Sequence, residues 1–266
     1  MKTFQQSLDS IATLGKNNEF MSTGIASLDE DLDGGFMRKE LVIIGGNTGS
    51  GKSFLSGQIF HHIATQGFKS AYFSLEISNE MIVSRLIGQI SNIKPTRIMC
   101  GLLSKSEMSD KRQAENKIRP YEDLMFFYDD VYHLNKITEE ISVNKYDFIV
   151  IDFIQNLITG QKDEYAAMSL AALELQKVAK ATNSCILVVS QLSNAATTSQ
   201  RIEYKGSGGI AMVADLGFFI IRPSMEEVAS KAKESSRFQL ALRKNRRGVS
   251  GIAYNLNFKD PGGRIL

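Results

Sequence analysis

Residues 41–53 read Leu41-Val42-Ile43-Ile44-Gly45-Gly46-Asn47-Thr48-Gly49-Ser50-Gly51-Lys52-Ser53. An apolar run ends in glycine, and residues 46–53 then fit the pattern G-x-x-x-x-G-K-[ST]. The spacing has a chemical reason. Glycines let backbone N–H groups curl around phosphate oxygens without Cβ clashes. A helix opening near Lys52 aims its positive dipole end at the same oxygens. Lys52 adds a charge on the β- and γ-phosphates, and the Ser53 hydroxyl suits Mg²⁺. The expected phosphate site takes in Gly46, Asn47, Thr48, Gly49, Ser50, Gly51, Lys52, Ser53 and Phe54. The preceding strand and following helix are the context that separates this pattern from a glycine-rich turn.

Outward from this loop, short apolar runs alternate with helical patterns. Residues 41–45, 70–75, 124–128, 148–151 and 185–190 read as buried strands. Their apolar residues are continuous, as expected for parallel strands covered on both faces. Helical spacing fills about 53–66, 79–93, 106–118, 134–143 and 166–181. The rhythm predicts an α/β fold with a mainly parallel sheet and helices on both sides. Residues 216–221, 238–243 and 251–258 lack strong helices between them. They read as an antiparallel C-terminal edge, with a hairpin turn at 245–249. Residues 155–165, 193–209 and 223–236 read as long loops, which in a compact domain are usually functional or disordered. Residues 1–20 read as a separate piece ahead of a domain at 21–266, either a helix packed on its own domain or a linker helix docking on a neighbouring subunit. Phe4, Leu8, Ile11 and Leu14 recur there at helical spacing.

Five further positions complete a candidate catalytic set. Asp152 ends an apolar strand and would deliver a carboxylate to the ligand end of an open parallel sheet. With Ser53 it forms the expected magnesium pair. Glu76 follows the strand Tyr72-Phe73-Ser74-Leu75 and is placed to polarise a water beside a γ-phosphate. Gln191 follows Ile186-Leu187-Val188-Val189-Ser190, where an uncharged amide can sense a phosphate. Lys244 and Arg246 lie in Arg243-Lys244-Asn245-Arg246-Arg247-Gly248. Strand alternation puts them on one side and Arg243 and Arg247 on the other. The tip reads as a solubilising turn, as a nucleic-acid contact, or as cations supplied to the next subunit's site.

Composition excludes several classes. The chain has 266 residues, 43% hydrophobic and 23% charged, which argues against disorder. Its net charge of +2 creates no global field for nucleic acid or membrane. Residues 201–266 nevertheless carry +6 and residues 1–200 carry −4, which places a basic surface near the C-terminus. The two cysteines, Cys100 and Cys185, form neither a CxxC nor a Cys/His cluster, so no zinc site or disulfide framework is indicated. Free thiols fit a reducing cytosol. No run reaches the roughly 18–20 apolar residues of a membrane span. Residues 1–14 lack the apolar core of a secretory leader.

Together these residues resemble the ATPase domain of the DnaB-type replicative DNA helicases, a RecA-like group, over about 21–260. The lead-in Ser22-Thr23-Gly24-Ile25-Ala26-Ser27-Leu28-Asp29, then Gly34-Gly35, is similar to the family's approach to its phosphate loop. Phe73-Ser74-Leu75-Glu76-Ile77-Ser78 resembles a family hallmark and implies Glu76 as catalytic base. Residues 149–155 resemble its Walker B strand, and Ser190-Gln191-Leu192-Ser193 its sensor. Lys244-Asn245-Arg246-Arg247-Gly248 resembles its Lys-x-Arg-x-Gly hairpin, which implies Lys244 as γ-phosphate sensor and Arg246 as arginine finger. The resemblance further implies ATP and Mg²⁺, a homo-oligomeric ring of six, single-stranded DNA in its channel, and 5′→3′ travel. Primase or a helicase loader would be a partner, in the cytoplasm of a bacterium or of the host of a phage or plasmid. A DNA-binding loop is implied at Lys205-Gly206-Ser207-Gly208-Gly209. Arg201 adds charge there, and Lys162 in the 155–165 loop is a second contact.

The chain departs from the family pattern in places. Gly206 stands where an acid is usual, and Ala211-Met212 stand in place of an acid–amide pair. Only residues 1–20 stand where the family has a separate N-terminal domain, so either a compact helicase or a fragment is expected. Three other readings compete. A KaiC/RadA-like regulatory ATPase would use the same core without unwinding, a non-catalytic module would use ATP only to cement subunits, and a small-molecule kinase would need an acceptor lid.

Overall fold

The computed structural model describes residues 3–14, 20–191, 208–222 and 236–266. It opens with α1 (Phe4–Leu14), β1 (Phe20–Met21), α2 (Ala26–Asp31) and β2 (Phe36–Met37). The phosphate-loop unit follows as β3 (Leu41–Gly46) and α3 (Lys52–Thr65). Next come β4 (Ser70–Ser74), α4 (Asn79–Ser91), α5 (Pro95–Met99), α6 (Lys105–Ile118) and β5 (Met125–Tyr128). Then come α7 (Leu134–Asn144), β6 (Phe148–Asp152), α8 (Glu164–Thr182) and β7 (Cys185–Gln191). The chain ends with α9 (Gly208–Val213), β8 (Leu216–Ile221), β9 (Arg237–Asn245), β10 (Ile252–Lys259) and β11 (Arg264–Ile265).

Among the described residues one sheet of nine strands runs in the order β11-β10-β9-β8-β3-β7-β6-β4-β5. Pairing is parallel from β8 through β3 to β5 and antiparallel from β8 through β9 and β10 to β11. The expected α/β architecture is present. Strand alternation sends Val42, Ile44, Phe148, Val150 and Leu187 into a core under α3 and α4. Leu41, Ile43, Ile149, Ile151, Ile186 and Val188 enter a second core under α7, α8 and α9. This double burial is why these strands are continuously apolar.

Helix ends follow local chemistry. Ser78 caps α4 by accepting from Met81 N–H, and Asp163 caps α8 by accepting from Ala166 N–H. Ser104 and Glu107 form a reciprocal capping box at α6.

Four expectations are corrected. β5 lies at the sheet edge and is only half-buried, because nothing pairs beyond it among the described residues. β8 runs parallel to β3, so the antiparallel edge begins one strand later than its spacing suggested. The 155–165 loop is shorter than expected: Ile154–Asn156 is a single 3-10 turn and α8 begins at Glu164. Gly208 and Gly209 open α9 instead of lying in a loop. The small β1–β2 pair, α2, α5 and β11 were not expected, being too short to show a periodicity. The remainder of the 193–209 and 223–236 loops lies outside the described residues, apart from Ser236. On α1, Phe4 and Leu8 are exposed, and the side chain of Ile11 is outside the described set.

Candidate active site

The lead-in residues 22–29 tie the domain's entrance together. Oδ1 of Asp29 accepts from Thr23 N–H and Oγ1–H at 2.8 and 2.7 Å, and Oδ2 accepts from the Ser22 hydroxyl at 2.7 Å. Arg247 donates to the Leu32 and Gly35 carbonyls and pairs with Glu40 at 2.9 Å, fastening the C-terminal hairpin to this entrance.

β3 hands the chain to the phosphate loop. Gly51, with φ +100°, immediately precedes α3 in a left-handed conformation that a side chain would strain. Lys52 is buried, and its ammonium donates to the Gly46 and Asn47 carbonyls at 2.8 and 2.9 Å. Burial holds it below an ordinary lysine, while the nearby Asp152 and Glu76 carboxylates pull the other way. Asp152 is buried at the end of β6. Its Oδ2 accepts from Tyr72 Oη–H at 2.7 Å, and the Ser53 hydroxyl lies near the carboxylate. Burial raises its pKa despite those contacts and the charges of Arg85 and Lys52.

Register explains why these groups meet. Gly46 pairs with Gln191, Asp152 with Val189 and Ser74 with Asp152, so four parallel strands, β3, β7, β6 and β4, end at the same edge of the sheet. Glu76, just beyond β4, is exposed at that level. A cleft of about 410 Å³ is lined by Thr48 through Phe54 together with Glu76, Asp152 and Gln191. Gln191 is held by Gln155, which donates to its carbonyl at 3.2 Å and accepts from its N–H at 3.3 Å.

The cleft also contains residues that the sequence did not single out: Arg85, Arg222, Phe258 and Asp260. Arg222 donates to the Ser50 carbonyl at 3.0 Å and lies over the Phe258 ring at 5.5 Å. Arg85 lies over Phe54 at 4.7 Å. A cation directly after β8 was the one available signal for Arg222. Phe258 sits in a strand whose pattern gives no hint of a ligand.

Two buried oxygens of the cleft, Ser50 Oγ and Asp152 Oδ1, have no hydrogen-bond partner. With the carboxylate and hydroxyl of Asp152 and Ser53 adjacent, this donor set is hard oxygen, which suits magnesium beside a triphosphate.

Lys244 and Arg246 lie elsewhere. Lys244 pairs with Gly217, which pairs with Ile43, and Arg246 N–H donates to Asp215 at the start of β8. The phosphate loop leaves the other end of β3, roughly 16 Å from the Asp215 level and about 10 Å from the Lys244 level at about 3.3 Å per residue. The hairpin is therefore at the opposite end of the sheet from its own phosphate loop. As alternation predicts, the two side chains share one side; both bond to the Met212 carbonyl, while Arg247 points to the domain entrance. Arg201, Lys205 and Gly206 lie outside the described residues, Gly208 starts α9, and Lys162 is exposed.

Residues 21–264 match the model of the DnaB-like helicase C-terminal domain. The chain belongs to that family. It is 28% identical to the replicative DNA helicase DnaB of Treponema pallidum over 245 residues, which cover 87% of this chain and 52% of that protein. It is likewise 28% identical to a probable plasmid replicative DNA helicase of Chlamydia muridarum, covering 87% of this chain and 55% of that one. The chain spans about half the length of the curated relatives it matches. Among solved structures, an isolated ATPase domain superposes with a TM-score of 0.87 at 17% identity, covering 100% of this chain and 99% of that one. A DnaB-like replicative helicase, studied with its primase interactions, superposes at 0.83 and 17% identity, covering 100% of this chain and 67% of that one. These two likenesses show that the chain shares their fold. Among the described residues no helix is long and apolar enough to cross a membrane.

Proposed function

We propose that this chain is the motor domain of an ATP-dependent replicative DNA helicase. It acts as a ring in which each nucleotide lies between neighbouring subunits. The observation that carries this reading is the position of Lys244 and Arg246, at the opposite end of the sheet from their own phosphate loop. A single subunit cannot bring them to its own nucleotide without dismantling β9. A head-to-tail ring delivers them to the next subunit.

Within one site the residues divide the work. The N–H groups of residues 48–52 cradle the phosphates, and Lys52 exchanges its carbonyl partners for β- and γ-oxygens. Ser53 and Asp152 would hold magnesium, which when bound would supply Lewis-acid charge to the phosphates. Tyr72 orients Asp152. Glu76 accepts a proton from the attacking water, and Gln191 registers the γ-phosphate. Arg222, Phe54 and Phe258 offer planar surfaces against which the base can stack. Lys244 and Arg246 from the neighbour neutralise charge on the transferring phosphoryl group. Arg201, Lys205, Gly206 and Gly208 track single-stranded DNA through its backbone, with Lys162 as a further contact. The regulatory-ATPase reading draws no support from the family match.

The test is steady-state ATP hydrolysis with and without single-stranded DNA, at low and moderate salt. Stimulation that weakens as salt rises is expected, because phosphate contacts release counterions. Hydrolysis indifferent to DNA would overturn the motor reading and leave only an ATPase.

A further inference from the structure

The hairpin cations are gripped by their own subunit. Lys244 Nζ and Arg246 Nη2 both donate to the Met212 carbonyl, at 2.9 and 2.8 Å. Arg246 Nη1 donates to Asp215 Oδ1 at 2.8 Å. Asp215 is itself fixed. Its Oδ2 accepts from Leu41 N–H at 2.9 Å, and its own N–H donates to the Leu41 carbonyl at 2.8 Å. Its carbonyl takes the Arg246 N–H at 3.0 Å. The Asp215 side chain is 15% exposed, whereas that of Arg246 is 45% exposed. The carboxylate is thus a rigid inner anchor, and the guanidinium keeps an exposed edge. Two of its five N–H donors are used in these bonds.

A cation that must meet a developing charge is most effective when its geometry is set beforehand. An untethered arginine loses rotamer freedom at the moment of reaction. The anchor removes much of that freedom in advance. It also sits at the C-terminal end of α9, so a shift of that helix is transmitted to both cations through the Met212 carbonyl.

We infer that Asp215 is a positioning residue, whose carboxylate with the Met212 carbonyl forms a saddle that sets Arg246 and Lys244 for the neighbouring subunit's nucleotide. This rests on the reading that the pair acts across the interface. Asp215 acts through Arg246, to which its carboxylate is bonded.

The experiment is a double-mutant cycle in the full chain with single-stranded DNA present, reading kcat and KM for ATP. Asp215→Asn is expected to lower kcat about tenfold with KM within about twofold, since the lost interaction acts in the transition state. In an Arg246→Ala background the same change is expected to cost nothing further. A purely structural Asp215 would lower kcat by the same factor in both backgrounds, and that result overturns the inference. Parental kcat in Asp215→Asn overturns it as well. Asp215→Ser, which keeps an acceptor for Leu41 N–H, goes through the same cycle, so that a folding defect in one variant leaves the other to decide. If Arg246→Ala alone retains parental kcat in an assembled protein, the cross-interface reading fails and this inference fails with it. If Arg246→Ala loses turnover while both Asp215 variants keep it, the positioning role alone fails.

Discussion

The hydroxyl of Tyr72 on β4 donates a 2.7 Å hydrogen bond to Oδ2 of Asp152 on the adjacent strand β6, and its oxygen also lies 3.0 Å from Ser56 Oγ on α3. All three side chains are buried. The bond joins the magnesium-side carboxylate to the helix behind the phosphate loop. Tyr72→Phe keeps the ring but leaves Asp152 with one donor fewer. Chemical denaturation should show a loss of about 1–3 kcal/mol, the cost of an unsatisfied buried polar group. The magnesium concentration for half-maximal ATP turnover should rise in the same variant.

Glu76 and Arg246 should complement each other across subunits. Each of Glu76→Gln and Arg246→Ala, assembled alone, should lose roughly 10³-fold in kcat while still binding nucleotide. In mixed rings, an Arg246→Ala subunit keeps its own Glu76 and can receive an intact arginine from a Glu76→Gln neighbour. An equal mixture should therefore recover up to about a quarter of parental turnover if interfaces are head-to-tail and pair at random. A mixture as inactive as its components would place both groups on one subunit's site.

Glu40 sets a pH dependence. Burial raises its pKa from 4.5 to about 7, against the opposing effects of Arg247 and the Met37 N–H. Between those values the folded chain keeps a proton that the unfolded chain has released. Stability from this group is therefore present at low pH and falls as pH rises from about 4.5 to about 7. Relative to Glu40→Gln, the parent should lose about 2–3 kcal/mol across that window and change little above it. Denaturant titrations of both proteins at pH 5, 6, 7 and 8 check the sign.

Gly35 has φ +118°, and a Cβ there would lie 2.2 Å from the Met21 carbonyl oxygen. Backbone must move to admit it. Gly35→Ala should cost at least about 2 kcal/mol in equilibrium unfolding and weaken the Arg247 contact to the Gly35 carbonyl.

Much of the site was legible because its residues are fixed by local geometry. Gly46 through Ser53, Asp152, Glu76 and Gln191 each sit at a strand end or in a strand–turn–helix, and parallel strands bring such ends to one edge. Arg85, Arg222, Phe258 and Tyr72 were not legible in the same way. Arg85 is one polar residue of an amphipathic helix, and Phe258 is one alternating position of β10. Their relevance comes from α4 and β10 being folded against the phosphate loop, which no local pattern encodes. The same applies to β8, where the apolar run is identical for parallel and antiparallel pairing.

The α/β rhythm, the phosphate loop and the shared side of Lys244 and Arg246 are local properties of the chain, because they follow from periods of 2 and 3.6 residues and from glycine's freedom at positive φ. Tertiary structure decided where the hairpin stands relative to the nucleotide. It also decided that Asp215 meets Leu41, 174 positions away, and that Arg246 meets Asp215 and Met212. The geometry of those contacts depends on strand order and register, which arise only when both cores are packed against the sheet.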